Sequence, residues 1–181
     1  MKHRISSFSL SHYLHTLTTL LGKPRQFFQD ALLQESLGSG LGFLLLSALL
    51  YTAATLAVNP GIQNPAAMAI LLANGVGMAV IAAVIGYGIM IMMIGRKISF
   101  PLFLNIYAFS SGAALLAAWI PFFLIITEPW RWWLIGTGLV RAGKISKRHT
   151  MAIIILSITV ITIFFCSALP VLQALGESGI A

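Results

Sequence analysis

The sequence predicts an all-α fold: a polytopic integral membrane bundle of five transmembrane helices, preceded by N-terminal amphipathic interfacial helices. Three observations carry that prediction. Charged residues make up 8% of the 181 and hydrophobic ones 59%, where a soluble domain carries roughly 25% charge. No charged side chain occurs between Ser36 and Gly95, so a water-facing surface cannot be built there. The apolar stretches, such as Met151–Leu172, are continuous and about twice the ~10 residues of a membrane strand. Backbone groups in lipid must pair within the protein, which leaves helices or a closed barrel, and the run length selects helices.

The arm comes first, residues 1–37. Leu10, Leu14, Leu17 and Leu21 recur at helical spacing, with Tyr13 and Leu20 beside them. The other face holds Ser11, His12, His15, Thr16, Thr18 and Thr19. A Ser/Thr-rich face suits a helix that senses loose lipid packing; docking on the protein's own cytoplasmic side is the simpler alternative. Gly22-Lys23-Pro24 predicts a break, with Pro24 opening the next helix. There Phe27, Phe28, Ala31 and Leu32 oppose Gln26, Gln29, Asp30 and Gln34. That pattern predicts an interfacial helix against the membrane, with Lys23 and Arg25 at headgroup level.

The transmembrane domain, 38–181, follows. The first span runs over about 38–58, enough residues to cross a ~30 Å core. A short turn through Asn59-Pro60-Gly61 and Asn64-Pro65 leads to the second, about 66–94, which is longer than needed and ends at Arg96-Lys97. The third covers about 101–121, with Pro121 set to kink or end it. The fifth covers about 151–172. The first long apolar run begins near Gly38, so no cleavable signal peptide is expected.

The fourth span, about 129–142, is short: as a helix, Trp130–Ala142 covers only ~20 Å. Charge decides in its favour. With five spans and the N-terminus inside, Lys2, Arg4, Lys23, Arg25, Arg96, Lys97, Arg141, Lys144, Lys147 and Arg148 share the inner side, and Arg131 alone lies outside. Without that span, the last four of those cations move outside. The excess of Lys and Arg on the cytoplasmic side therefore demands the crossing. Trp130, Trp132 and Trp133 would form its aromatic belt, and snorkelling by Arg131 and Arg141 would absorb the shortfall.

Lipid is as apolar as leucine, so helices in it associate by close packing and a few hydrogen bonds. Small residues recur at four-residue spacing: Gly38 and Gly42, Ala73 and Gly77, Ala82 and Gly86, Ala113 and Ala117, Ala114 and Ala118. The second span is richest in glycine and is expected at the centre of the bundle. Asn74, Asn105, Tyr107, Ser110 and Ser111 fall at membrane depth, where interhelical hydrogen bonds are the simplest role.

Chemistry has no visible seat. Of the four carboxylates, Asp30, Glu35, Glu128 and Glu177, none falls within a predicted span, which argues against proton or ion pumping. Glu128 is expected to cap the outer turn and pair with Arg131 three residues on. His12 and His15 share a face but have no third ligand nearby, so neither a metal nor a cofactor is predicted. Cys166 cannot pair within the chain and is expected as a small buried side chain. The net charge of +7 is confined to the arm and short loops, which orients a membrane protein and does not point to nucleic acid.

Three stretches resemble the YIP family of small five-span membrane proteins, first defined by interaction with Ypt/Rab GTPases: the prelude LLGKPRQFF, the segment NIYAFSSGAALL, and WRWWLIGTGLVRAGKISKRHTMAIIILSI. The resemblance rests on the Pro24-aromatic prelude, the Tyr107-Ala108 pair and the basic exit from Gly138 to Arg148. Ser110-Ser111 stand where the family often has a proline, and the long acidic domain of eukaryotic members is missing. The chain is similar to the compact prokaryotic form, which implies a cytoplasmic membrane location.

Two classes of function compete. One is a non-enzymatic scaffold or adaptor that engages membrane lipids and other integral membrane proteins or itself. The other is an accessory subunit of a larger membrane complex. A transporter or channel for a neutral solute or lipid is the weaker third. Topology has a direct test: a reporter fused after Lys147 should read cytoplasmic and one at the C-terminus external. Both on the same side would remove the fourth or fifth span.

Overall fold

The computed structural model describes residues 10–178 apart from positions 63 and 121. Expectations for Lys2 and Arg4, and for Pro121 as the end of the third span, lie outside the described residues. Every regular element among the described residues is helical.

The helix ends follow from local chemistry. Helix α1 spans Leu10–Gly22 and stops at the predicted break, and Pro24 opens the short α2, Pro24–Gln26. One π turn, Phe27–Ala31, and one 3-10 turn, Leu32–Gln34, carry the chain to the membrane helices. The Ser36 hydroxyl caps α3, Leu37–Val58, by accepting from the Ser39 amide at 3.2 Å. Asn64 caps α4, Pro65–Ile94, by accepting from the Ala67 amide at 2.6 Å, with Pro65 in the first turn. Gly95 ends α4 at φ +75°, a conformation glycine adopts without strain. Helices α5, Phe100–Ala118, α6, Leu124–Arg141, and α7, Lys147–Ser178, complete the chain.

Four helices, α3, α4, α5 and the 147–167 part of α7, are long and apolar enough to cross a membrane. Helix α6 is more polar, but its 18 residues rise about 27 Å. It returns antiparallel along α5, since Gly143 just beyond its end lies against Ile98 just before α5. It starts five residues earlier than the sequence suggests. The sequence puts Glu128 in the outer turn and Pro129 at the start of the span, yet Pro129 sits inside α6, where its missing N–H leaves only the Ile125 carbonyl unserved.

The hub of the bundle is α5, not the glycine-rich α4 that the sequence puts at the centre. Two-thirds of the α5 span is buried (67%), against 17% for α4. Every residue from Phe103 to Ala114 is buried. Glycines let neighbours close on it. A Cβ at Gly112 would stand 2.8 Å from the Phe43 ring of α3, and one at Gly86 2.5 Å from the Tyr107 hydroxyl. One at Gly138 of α6 would meet Ile106 at 2.5 Å and Phe28 at 3.1 Å. Gly40 makes the same room for the Asn105 side chain. Phe109 joins the layers, its ring 5.2 Å from both Phe27 and Phe43.

The arm belongs to this core. Tyr13 shares a 3.0 Å hydrogen bond with Ser47, halfway along α3, and its ring lies 4.8 Å from that of Phe43, tilted by 32°. The His12 ring lies 3.3 Å from the Glu35 carboxylate at the foot of α3. Helix α1 is thus docked on the protein, the simpler of the two expectations, but it is turned from the expected register. Its buried row is Tyr13, Thr16 and Leu20, while Leu10, Leu14 and Leu21 stand 66%, 51% and 50% exposed. Helical spacing puts those leucines about a quarter-turn from the docked face, where they can meet lipid.

Phe27, Phe28 and Leu32 also depart from expectation. They are buried in the bundle instead of lying against the membrane, because Gly138 leaves a slot that the Phe28 ring fills. Cys166, expected to be buried, is exposed on α7, in a stretch, 162–167, that is exposed throughout.

These contacts predict a contrast between glycines. Gly112→Leu should force α3 off α5 and destabilise the fold by ~1–3 kcal/mol or more. Gly77→Leu, where nothing lies within 4 Å, should not. Thermal unfolding in detergent would show a lower midpoint for the first only; equal midpoints would contradict the α5-centred packing.

Candidate functional site

Four helices around α5's far half enclose a polar cavity of about 370 Å³. Asn74 and Met78 of α4, Ser111 of α5, Thr127, Glu128 and Arg131 of α6, and Thr162 of α7 reach its wall, with Tyr51 of α3 at the edge. Arg131 anchors it. One guanidinium nitrogen lies 2.9 Å from a Glu128 oxygen, and the group sits 5.1 Å over the Trp132 ring, a cation–π geometry. Its Nε is buried with no hydrogen-bond partner. The predicted Glu128–Arg131 pair therefore forms, but within α6 and facing a cavity instead of in the outer turn.

Below the cavity Tyr107 closes the bundle. Its ring stacks on Phe103 at 5.0 Å and meets Trp132 edge-on at 6.4 Å. The hydroxyl aims at Ser157 of α7 without closing a well-formed hydrogen bond. Asn105 lies deeper still and donates to the Ser36 carbonyl at 3.3 Å, tying α5 to the start of α3. Of the intramembrane polar residues, then, Asn74 reaches a cavity while Asn105 and Tyr107 are buried in packing.

The sequence's aromatic and basic residues divide among four places. Trp130 and Trp132 pack inward on the core, and only Trp133 is largely open, at 48%. Arg25, Arg141 and Lys147 line a groove between the arm, α6 and α7. Lys23 lines a separate polar cleft within the arm, with His15, Thr18, Gln26 and Asp30. Arg96, Lys97 and Lys144 are exposed in the turns that join α4 to α5 and α6 to α7, and Arg148 is exposed at the start of α7.

The small-residue pairs also divide. Ala82 and Gly86 are buried against α5. Gly38 meets only Ser36 of its own turn, Gly42 is half-buried, Ala73 is exposed and Gly77 has open space around it. With Gly86, the tight contacts are made by Gly40, Gly112 and Gly138; Gly40 and Gly112 were not singled out by the sequence, and Gly138 only as the start of the basic exit. Tyr51 and Thr127 likewise reach the cavity without a sequence signal.

The cavity offers a partly buried cation, a neighbouring carboxylate, hydroxyls and an amide. Such a set can bind a small polar or zwitterionic group. Among the described residues no three of His, Cys, Asp and Glu are placed to hold a metal ion.

Comparison with known proteins gives one positive finding. Residues 18–169 match the Yip1 domain, a stretch that takes in the Pro24-aromatic prelude, the α5 hub and all but the end of α7. No curated protein and no solved structure matches. A multi-pass membrane protein built on these helices, the chain belongs to the Yip1 domain family.

Proposed function

We propose that the chain is a non-enzymatic membrane scaffold, holding lipid through its arm and basic end and partner membrane helices through α4. One observation carries the proposal. Ala73, Gly77 and Gly88 lie along one side of α4 that is open among the described residues: Ala73 is exposed, and no atom lies within 4 Å of where a Cβ would stand at either glycine. Small residues in such a row let a second helix come close enough for backbone packing, the main attraction available in lipid. The large apolar side chains around it, including Ile81, Val84 and Met92, are exposed. The occupant is a second copy or another integral membrane protein, and an accessory subunit would use the same face.

The proposal includes five crossings, with α6 as the fourth. It puts the N-terminus and the basic end in the cytoplasm, the C-terminus outside, and the chain in a prokaryotic cytoplasmic membrane. The charge split and the end-to-end run of α6 along α5 support it.

The polar cavity favours a second reading, in which the bundle binds a small polar solute or a zwitterionic headgroup beside Arg131. Flux or binding lost on Asn74→Ala, with oligomeric state unchanged, would favour it over the scaffold.

The scaffold reading has its own test in the mass of the gently extracted protein. Wild type should run as an assembly larger than its own 19.5 kDa plus detergent. Gly77→Leu/Gly88→Leu should release the single chain without lowering its melting point, since leucine favours an exposed helix by ~1 kcal/mol over glycine. A wild-type monomer, or an assembly indifferent to the substitutions, would contradict the reading.

A further inference from the structure

We infer that the groove between the arm, α6 and the start of α7 binds one anionic phospholipid. Its volume is about 510 Å³, within the ~300–1,000 Å³ of small-ligand sites. The floor is apolar, built from Trp133, Gly136 and Val140 of α6 and Met151 and Ile154 of α7. The charged groups that reach it are Arg25 from the arm, Arg141 from the end of α6 and Lys147 from the start of α7. All three are exposed, and no carboxylate lines the groove. The ion pairs among the described residues, His12–Glu35 and Arg131–Glu128, use none of them.

Thr150 supplies an independent sign. It lines the same groove, is 4% exposed, and its hydroxyl has no hydrogen-bond partner. Buried polar groups are normally satisfied, and this covered hydroxyl beside the groove is a donor that rotation of the side chain offers to a ligand atom.

Charge and shape together select the ligand. Arginine presents a planar fork that matches phosphate, and lysine adds a point charge. Basic pockets between membrane helices on the cytoplasmic side take anionic headgroups for this reason. A free phosphate would use the cations and leave the apolar floor bare. A zwitterionic phospholipid would cover the floor but bring its own headgroup cation up against the three basic side chains. An anionic phospholipid does both, its phosphate among Arg25, Arg141 and Lys147 and an acyl chain along Val140 and Ile154. The site rests on the scaffold reading only in placing the α6–α7 turn at a headgroup layer.

Native mass spectrometry of the detergent-purified full chain tests it, with phosphatidylglycerol, phosphatidic acid and phosphatidylcholine supplied in equal amounts. Wild type should retain one anionic lipid with about tenfold preference over phosphatidylcholine. Arg25→Gln/Arg141→Gln/Lys147→Gln should bring that ratio to about one. Arg96→Gln/Lys97→Gln, which removes charge from the same end but outside the groove, should keep the preference. Val140→Trp, which fills the floor and spares the charges, should lose it while retaining the melting point. No preference in wild type, or equal loss in both charge variants, would overturn the site and leave only diffuse attraction. Either result is independent of the α4 assembly test, so the two proposals can fail separately.

Discussion

Helices in lipid gain nothing by hiding leucine from leucine, so this bundle depends on how closely its backbones can approach α5. Four glycines set that approach. Gly40 and Gly112 bring α3 against α5, Gly86 brings α4 against Tyr107, and Gly138 brings α6 against Ile106. The rings of Phe27, Phe43, Phe103, Tyr107 and Phe109 then fill the remaining space with mutual contacts. Everything else hangs on this layer, because the polar cavity lies on one side of Tyr107 and the arm seals the other flank.

The arm shows how one short amphipathic helix can serve three environments. One side of α1 docks through Tyr13, Thr16 and Leu20. A second side presents Leu10, Leu14 and Leu21. The third is polar, and there Thr18 and Thr19 donate their hydroxyls to carbonyls one turn back, Thr19 to His15 at 2.8 Å. Those internal bonds lower the cost of placing hydroxyls near lipid. The aromatic pair that follows is committed wholly to the core, which makes the arm part of the bundle and not an accessory to it.

Much of the fold was legible from sequence because chain length and charge are coarse signals. The ends of α3 and α4 fall within a residue of the predicted spans, since Ser36, Asn64, Pro65 and Gly95 are local punctuation. Facing was not legible. Helices α3, α4 and α5 are apolar all round, so nothing in their pattern tells Gly40 from Gly42, or Gly75 and Gly86 from Gly77 and Gly88. Glycine content pointed to α4 as the centre, whereas several α4 glycines face open space and α5 needs only Gly112. The candidate sites were half legible. The Glu128–Arg131 spacing announced its ion pair, but the cavity beside it depends on residues from five helices whose meeting has no local signature. The groove cations were visible as charges, while their convergence with Thr150 required the fold.

The arm and α3 close on α5 as one core, and photo-cross-linking from position 13 in native membranes reads that closure directly. With benzoylphenylalanine in place of Tyr13, peptide mapping should find the adduct on the stretch of α3 that carries Phe43 and Ser47. Adducts with lipid alone, or with soluble proteins, would mean that the arm lies free of the bundle, and the α5-centred core would have to be rebuilt without it.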